Sequence, residues 1–168
     1  MEMPKRLVLH IGSPKTGTTS LQSWLYANRA PLDQAGVYLP LSIGQPSNRC
    51  LAAAFDPGKD LSGDIMQSFL KRYSLGNAGH EVIRQVILSE FESEISGVQN
   101  NVVVVTSEHL HQSVCSEESV RQLHEFLIQF FDDIQVICWF REQYAMCRSR
   151  YFTALKMGQV RTFDDFLG

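Results

Sequence analysis

The stretch Gly12–Ser20, GSPKTGTTS, combines residues that are suited to holding a phosphate group. Gly12 and Gly17 have the spacing of the loop that binds nucleoside triphosphates, G-x-x-x-x-G-K-[ST]. Thr18 takes the place of that loop's lysine, and the lysine of this chain is Lys15. Backbone amides and the positive end of a following helix still form an anion site. The displaced lysine favours one phosphate that carries a leaving group over a magnesium-bound triphosphate.

The phosphate-binding stretch lies between a predicted strand and a predicted helix. Residues 6–12 (RLVLHIG) are apolar and typical of a buried strand, and residues 18–29 place Leu21, Trp24 and Leu25 at helical spacing. Further strands are predicted at 36–40 (GVYLP), 100–110 (NNVVVVTSEHL) and 134–141 (IQVICWFR), the last ending in Arg141. Helices are predicted over residues 81–95, 116–131, 144–155 and 162–168. Residues 41–63 are predicted to form a loop that contains one helical turn near Cys50–Phe55.

This alternation of apolar strands with helices predicts an α/β protein. We expect a three-layer P-loop-type fold, with a central parallel sheet flanked by helices, in a single domain over residues 1–168. The strands are expected to be buried on both faces. Ser116 and Ser119 predict a capping box before an apolar stripe that includes Val120. Four aromatic residues are interpreted as core: Trp24, Phe130, Phe131 and Trp139.

Ligands of parallel α/β sheets bind at the carboxyl ends of the strands. Three polar stretches follow the predicted strands and are therefore expected to meet at that edge. They are residues 12–19, residues 107–111 and the residues from Arg141 onward.

Composition excludes several other classes of function. The net charge is −3, from 15 basic and 18 acidic residues mixed along the chain, which argues against a nucleic-acid or membrane-surface protein. The four cysteines lack the spacing of a zinc site or a disulfide framework and indicate a reducing compartment, the cytoplasm. The apolar run after the N-terminus is too short for a signal sequence or a membrane span. Because basic and acidic residues are mixed along the chain, any anion-binding site must be formed by a local group of residues.

The stretch HIGSPKTGTTSLQ closely resembles the 5′-phosphosulfate loop of sulfotransferases that use 3′-phosphoadenosine 5′-phosphosulfate (PAPS). With the downstream GVYLP it looks like a bacterial branch of that family. The resemblance implies that PAPS is the sulfuryl donor and that no metal is needed. It also implies the donor contacts, which are Lys15, Thr18 and Thr19 on the phosphosulfate, with Pro14, Thr16, Gly17 and Ser20 completing the loop.

The resemblance extends to a second segment, CWFREQYAMCRSRYF. Sulfotransferases bind the 3′-phosphate of the donor with a strand-end arginine and a serine eight residues later, which implies Arg141 and Ser149, with Tyr151 two residues beyond. An arginine fork and a hydroxyl suit a phosphate. A bent strand-to-helix junction is needed to bring the two together. The neighbouring Arg148 and Arg150 are interpreted as solvated helix residues.

Sulfuryl transfer needs a base for the acceptor and a stabiliser of the leaving phosphate. Lys15 is expected to stabilise the phosphate. The family uses a histidine or a glutamate as base, and Glu108 is the first choice here. His109 and His111 remain alternatives, as does a role of Glu108 in capping the next turn, and His10 is favoured as a core residue.

The expected activity is transfer of a sulfuryl group from PAPS to a hydroxyl or amine of a small-molecule or glycan acceptor. Members of the family usually continue beyond the second segment, so the chain is expected to lack a C-terminal part of the domain. Two alternatives stay open: a P-loop nucleotide kinase or triphosphatase, and a non-catalytic fragment that binds an anion or a protein partner. The acceptor and the oligomeric state have no signature in the sequence.

Overall fold

The computed structural model describes residues 5–56, 58 and 61–167. The strands are β1 (Arg6–His10), β2 (Val37–Tyr38), β3 (Val102–Thr106) and β4 (Asp133–Ile137). The helices are α1 (Thr18–Ala27), α2 (Arg29–Gln34), α3 (Arg49–Ala54), α4 (Asp64–Arg72), α5 (His80–Ser96), α6 (Glu108–Ser113), α7 (Glu117–Leu127), α8 (Gln143–Lys156) and α9 (Phe163–Leu167).

The four strands form one sheet of order β2-β3-β1-β4, and all its pairs are parallel. Helices flank the sheet, so the predicted α/β fold with a central parallel sheet is confirmed. The register pairs His10 with Thr106 on one side and with Ile137 on the other. The loops that follow β1, β3 and β4 therefore leave the sheet at the same edge.

The core lies around the two central strands. Leu7 and Leu9 of β1 and Val103 and Val105 of β3 are buried, as alternation along a strand requires. Helix α5 covers them with a stripe at helical spacing: Ile83, Ile87, Phe91 and Ile95. Each such buried side chain contributes about 1.5–3 kcal/mol. The helix predicted over 81–95 is thus confirmed.

Strand β4 differs from the predicted strand in length and in burial. It ends at Ile137, four residues before Arg141, because its partner β1 ends at His10 and the last ladder bond runs from the Ile11 amide to the Ile137 carbonyl. None of the β4 residues is fully buried. The expectation that every strand is covered on both faces is therefore wrong for this one.

Two of the four aromatic residues predicted to be core are not buried. Trp24 is 56% exposed because α1 buries its Thr18 and Gln22 side chains instead, and Trp139, beyond the end of β4, is 42% exposed. Phe131 is buried, as predicted, and Phe130 packs against the core while partly buried.

The Ser116–Ser119 capping box at the start of α7 is confirmed, with both reciprocal hydrogen bonds formed. Val120 is exposed, so the predicted apolar stripe of α7 rests on Leu123 and Leu127. The turn predicted near Cys50–Phe55 is α3, whereas α2, α4 and α6 were not predicted.

Residues 57, 59 and 60 of the predicted 41–63 loop, residues 1–4 and Gly168 lie outside the described residues. No described helix has the length and apolarity needed to cross a bilayer.

Candidate functional site

The loop between β1 and α1 has an unusual backbone at its lysine. Lys15 has a φ of +66°, in the left-handed region that few residues other than glycine adopt. The Thr16 hydroxyl holds this turn by donating to the Ser13 carbonyl at 2.6 Å. Gly17, with a φ of +90°, is the N-cap of α1. Such strained positions concentrate at functional sites. In the first turn of α1, the amides of Ser20 and Leu21 both bond to the Gly17 carbonyl, at 3.0 and 3.2 Å.

Gly12 brings this loop against the start of α6. Its φ is +57°, and a Cβ placed on it would lie 2.9 Å from Cγ2 of Thr18 and 3.3 Å from Cα of Glu108. A side chain there would force Thr18 or the start of α6 to shift. Glycine is thus required at the first position of the loop both by the backbone angle and by the close approach of two neighbouring segments.

The segment that follows β4 lies along the other side of the loop. Arg141 donates from Nη1 to the backbone carbonyl of Lys15 at 3.1 Å. The Cys138 thiol donates to the Gly12 carbonyl at 3.1 Å. These contacts join two segments that are about 126 residues apart in the chain.

A pocket of about 450 Å³, the α8 pocket, opens between the loop and α8. Four of its lining residues are basic, and none is acidic. Ser149 and Thr153 add hydroxyl groups to the same wall. The lining consists of Lys15, Arg141, Ala145, Arg148, Ser149, Phe152, Thr153 and Lys156. Its composition is that of an anion-binding pocket.

The acid next to Arg141 in the chain caps α8. Glu142 accepts hydrogen bonds from the amides of Tyr144 at 2.8 Å and Ala145 at 2.7 Å. These bonds lower the pKa of Glu142, with Arg141 adding a smaller effect in the same direction. The carboxylate of Glu142 thus stabilises the helix N-terminus. The bend between Ile137 and Gln143 lets Arg141 and Ser149 line one pocket.

Glu108, the first choice as base, lies on the opposite side of the β1–α1 loop, at the start of α6. The hydroxyl of Thr18 donates to its Oε2. Thr18 is buried, whereas Glu108 is half-buried. The residue that replaces the lysine of nucleotide-triphosphate loops thus bonds to a carboxylate.

The two alternative histidines of α6 have different surroundings. Nε2 of His109 lies 3.1 Å from Nη1 of Arg49. Because a guanidinium only donates, His109 accepts at Nε2 in this contact, and that nitrogen's lone pair is occupied. His111 is exposed on the outside of α6. Glu108 and His109 thus each accept one of these hydrogen bonds, whereas His111 faces solvent.

His10 is buried at the end of β1. Its Nδ1 lies 2.8 Å from the Thr106 hydroxyl, and its ring meets the Trp139 ring at a centroid distance of 4.9 Å and an angle of 61°. Burial lowers the pKa of His10, and the nearby Glu108 opposes this with a smaller effect. This environment agrees with the interpretation of His10 as a core residue, although its Nε2 has no hydrogen-bond partner among the described residues.

The structure brings together part of the predicted donor contacts. Lys15, Arg141 and Ser149 line the α8 pocket, and Thr16 and Gly17 line a second pocket next to it. The other predicted donor contacts line neither pocket. Thr19 and Ser20 are exposed in the first turn of α1, and Pro14 is half-buried in the loop. Thr18 bonds to Glu108. The Tyr151 hydroxyl donates instead to the Arg161 carbonyl at 2.7 Å.

Sequence reasoning missed part of the α8 pocket. Phe152, Thr153 and Lys156 follow Ser149 by three, four and seven residues, which is the spacing of one helix face. That periodicity would have identified them once Ser149 was assigned to the site. Arg148, interpreted as a solvated helix residue, also lines the pocket.

No family model, curated protein or solved structure matches the chain. Within the described ranges, no group of three or more histidine, cysteine, aspartate or glutamate side chains is arranged to hold a metal ion.

Proposed function

We propose that the chain is a PAPS-dependent sulfotransferase domain, or the donor-binding part of one. The observation that carries the proposal is that the two segments expected to hold the donor meet in space. Lys15 from the first and Arg141 and Ser149 from the second line the same pocket. Their separation in the chain makes this meeting a property of the fold rather than of either motif.

The residues of the pocket fit a donor with two phosphate-bearing ends. Lys15 and the amides around Gly17 would hold the 5′ end, since a lysine and a helix N-terminus both favour anions. Arg141 offers a planar fork and Ser149 a hydroxyl for the 3′-phosphate. Arg148 and Lys156 add positive charge along the same wall.

The bound donor supplies an activated sulfuryl group, and the chain supplies the groups around it. Glu108 would accept the proton that the acceptor hydroxyl or amine loses as its bond to sulfur forms. Lys15 would stabilise the negative charge on the phosphate oxygen as its bond to sulfur breaks. The acceptor class remains a small molecule or a glycan.

The four free thiols support a reducing compartment such as the cytoplasm.

Calorimetry with adenosine 3′,5′-bisphosphate, the product of the donor, tests the proposal. We expect binding that weakens at least tenfold in Lys15→Ala and in Arg141→Ala, and that weakens when the 3′-phosphate is removed, as in adenosine 5′-monophosphate. Arg150→Ala is the matched control, because Arg150 is an exposed cation of α8 that does not line the pocket. No binding at millimolar concentration, or binding indifferent to both substitutions, would contradict the proposal.

The kinase or triphosphatase alternative predicts magnesium-dependent binding of ATP or GTP, which the same calorimeter measures. The bond between Thr18 and Glu108 counts against it, because a carboxylate lies where that class places the lysine that reaches the outer phosphates. Transfer of radiolabelled sulfate to a panel of acceptors separates catalysis from binding alone.

A further inference from the structure

A second pocket, of about 480 Å³, lies at the carboxyl edge of the sheet on the other side of Lys15 and Arg141. We call it the aromatic pocket. It is lined by Lys15, Thr16, Gly17, Trp139, Phe140 and Arg141. Lys15 and Arg141 also line the α8 pocket and therefore form the wall that the two pockets share.

The aromatic side chains of this pocket are more exposed than the stability of the fold explains. Phe140 is 80% exposed and Trp139 is 42% exposed. Two large aromatic residues exposed side by side in a concave site mark a binding surface more often than an isolated exposed residue does. The Trp139 ring is held on one side by its edge contact with buried His10, so its orientation is set by the core.

The charges beside these rings restrict what the pocket would bind. Neither Lys15 nor Arg141 forms an ion pair among the described residues. A purely apolar ligand would leave both cations beside an apolar surface without compensation. A ligand with a flat ring and an attached anionic group satisfies the aromatic faces and the cations together.

We propose that Trp139 and Phe140 bind the planar ring of a ligand whose anionic group lies on Lys15 and Arg141. The inference rests on the proposed function, because it takes those two cations as the site of the donor's anionic groups. Both the purine of the donor and the ring of an aromatic acceptor have this chemistry. The shared feature is stacking on Trp139 and Phe140, and the experiment separates the two sources.

The chain contains two tryptophans, Trp24 and Trp139, so Trp24→Phe leaves Trp139 as the only fluorescent indole. In this background we expect adenosine 3′,5′-bisphosphate or phenyl phosphate to quench the fluorescence on binding. Pyrophosphate, an anion without a ring, is expected to bind with little quenching. The Trp24 ring lies on α1, outside the aromatic pocket.

The affinities of the three probes for the Phe140→Leu variant show which kind of ring the aromatic pocket binds. We expect about tenfold weaker binding of the ring-bearing probe, as loss of one stacking contact implies, and unchanged binding of pyrophosphate. A loss confined to adenosine 3′,5′-bisphosphate identifies the purine, and a loss confined to phenyl phosphate identifies an aromatic acceptor. Tyr144→Leu is the matched control, because Tyr144 is an exposed aromatic residue that lines neither pocket.

Two outcomes overturn the inference. In the first, Phe140→Leu leaves both ring-bearing probes within twofold of the parent, or Tyr144→Leu weakens them as much as Phe140→Leu does. If pyrophosphate and the bisphosphate still bind in that case, the proposed donor site stands without the aromatic subsite. In the second, none of the three probes binds, and the donor site and the inference both fail.

Discussion

The guanidinium of Arg141 donates to the backbone carbonyl of Lys15 at 3.1 Å across 126 positions of the chain. The bond ends at the residue whose φ is +66°, so it supports the turn that presents the lysine. Arg141 thus has a structural partner on the loop and lines the α8 pocket with the same side chain. One residue connects the conformation of the first segment to the proposed ligand contacts of the second.

Arg141→Lys tests this double role. A lysine keeps the charge, but its single ammonium cannot bind the Lys15 carbonyl and a phosphate with the geometry of a fork. We expect adenosine 3′,5′-bisphosphate to bind about ten to a hundred times more weakly, measured by calorimetry. Arg150→Lys, made on the exposed side of α8, should bind as the parent does. Equal affinity in Arg141→Lys would show that charge alone matters at this position.

Gly12→Ala is expected to destabilise the fold by about 2–3 kcal/mol in urea unfolding, because the new Cβ would meet both Thr18 and Glu108. Gly158→Ala separates the two causes of this loss. Gly158 also has a positive φ, +82°, but nothing lies within 4 Å of an added Cβ, so we expect about 1 kcal/mol there. The same loss at both positions would mean that the close approach at Gly12 has little effect.

Glu108→Gln should slow sulfate transfer by about a hundredfold to ten-thousandfold while it keeps a side-chain oxygen that accepts the Thr18 hydroxyl. Binding of adenosine 3′,5′-bisphosphate should stay within about twofold, since Glu108 does not line the α8 pocket. His109→Gln is the comparison. If transfer is lost in that variant and retained in Glu108→Gln, the base is His109.

Glu94 of α5 links three parts of the fold through one carboxylate. It accepts from the Tyr38 hydroxyl at 2.8 Å, from the amides of Leu41 and Ser42 at 2.8 and 2.9 Å, and from the Ser42 hydroxyl at 2.6 Å. Burial, and next the bond to Glu94, raise the pKa of Tyr38 to about 12. Glu94→Ala should lower the free energy of unfolding by about 3 kcal/mol. Glu92→Ala, exposed on the same helix, should change it by less than about 0.5 kcal/mol.

We expect the stability of the protein to depend on pH through His10. Its pKa is lowered by burial in the folded state, so protonation favours the unfolded chain. Stability is therefore complete above the usual pKa of 6.5 and falls as the pH drops, by at most about 1.4 kcal/mol per pH unit. In His10→Gln the free energy of unfolding, measured by urea titration between pH 7.5 and 5, should fall less steeply. His124→Gln, which removes an exposed imidazole, is the control; an identical slope in His10→Gln and the parent would contradict the prediction.

The α/β class, the parallel sheet and the helix over 81–95 could be predicted because they depend on local properties. Apolar runs such as residues 102–105 and spacings such as Ile83, Ile87 and Phe91 determine which segments bury a face. The Ser116–Ser119 capping box is equally local, since both partners belong to one helical turn. The glycines at 12 and 17 likewise identified a turn after a strand.

The candidate site depended on tertiary structure. The order β2-β3-β1-β4 places β1 between β3 and β4, and this order brings Glu108 to Thr18 and Arg141 to Lys15. It also decides burial: α1 buries Thr18 and Gln22 rather than Trp24, and the segment after β4 leaves Trp139 exposed, despite a pattern typical of core residues. Hydrophobic pattern specifies which residues prefer to be buried, whereas contacts between residues about a hundred positions apart follow from strand order and crossover packing. The sequence alone predicted most of the elements and a loop suited to a phosphate, whereas the fold decided which side chains meet around that loop.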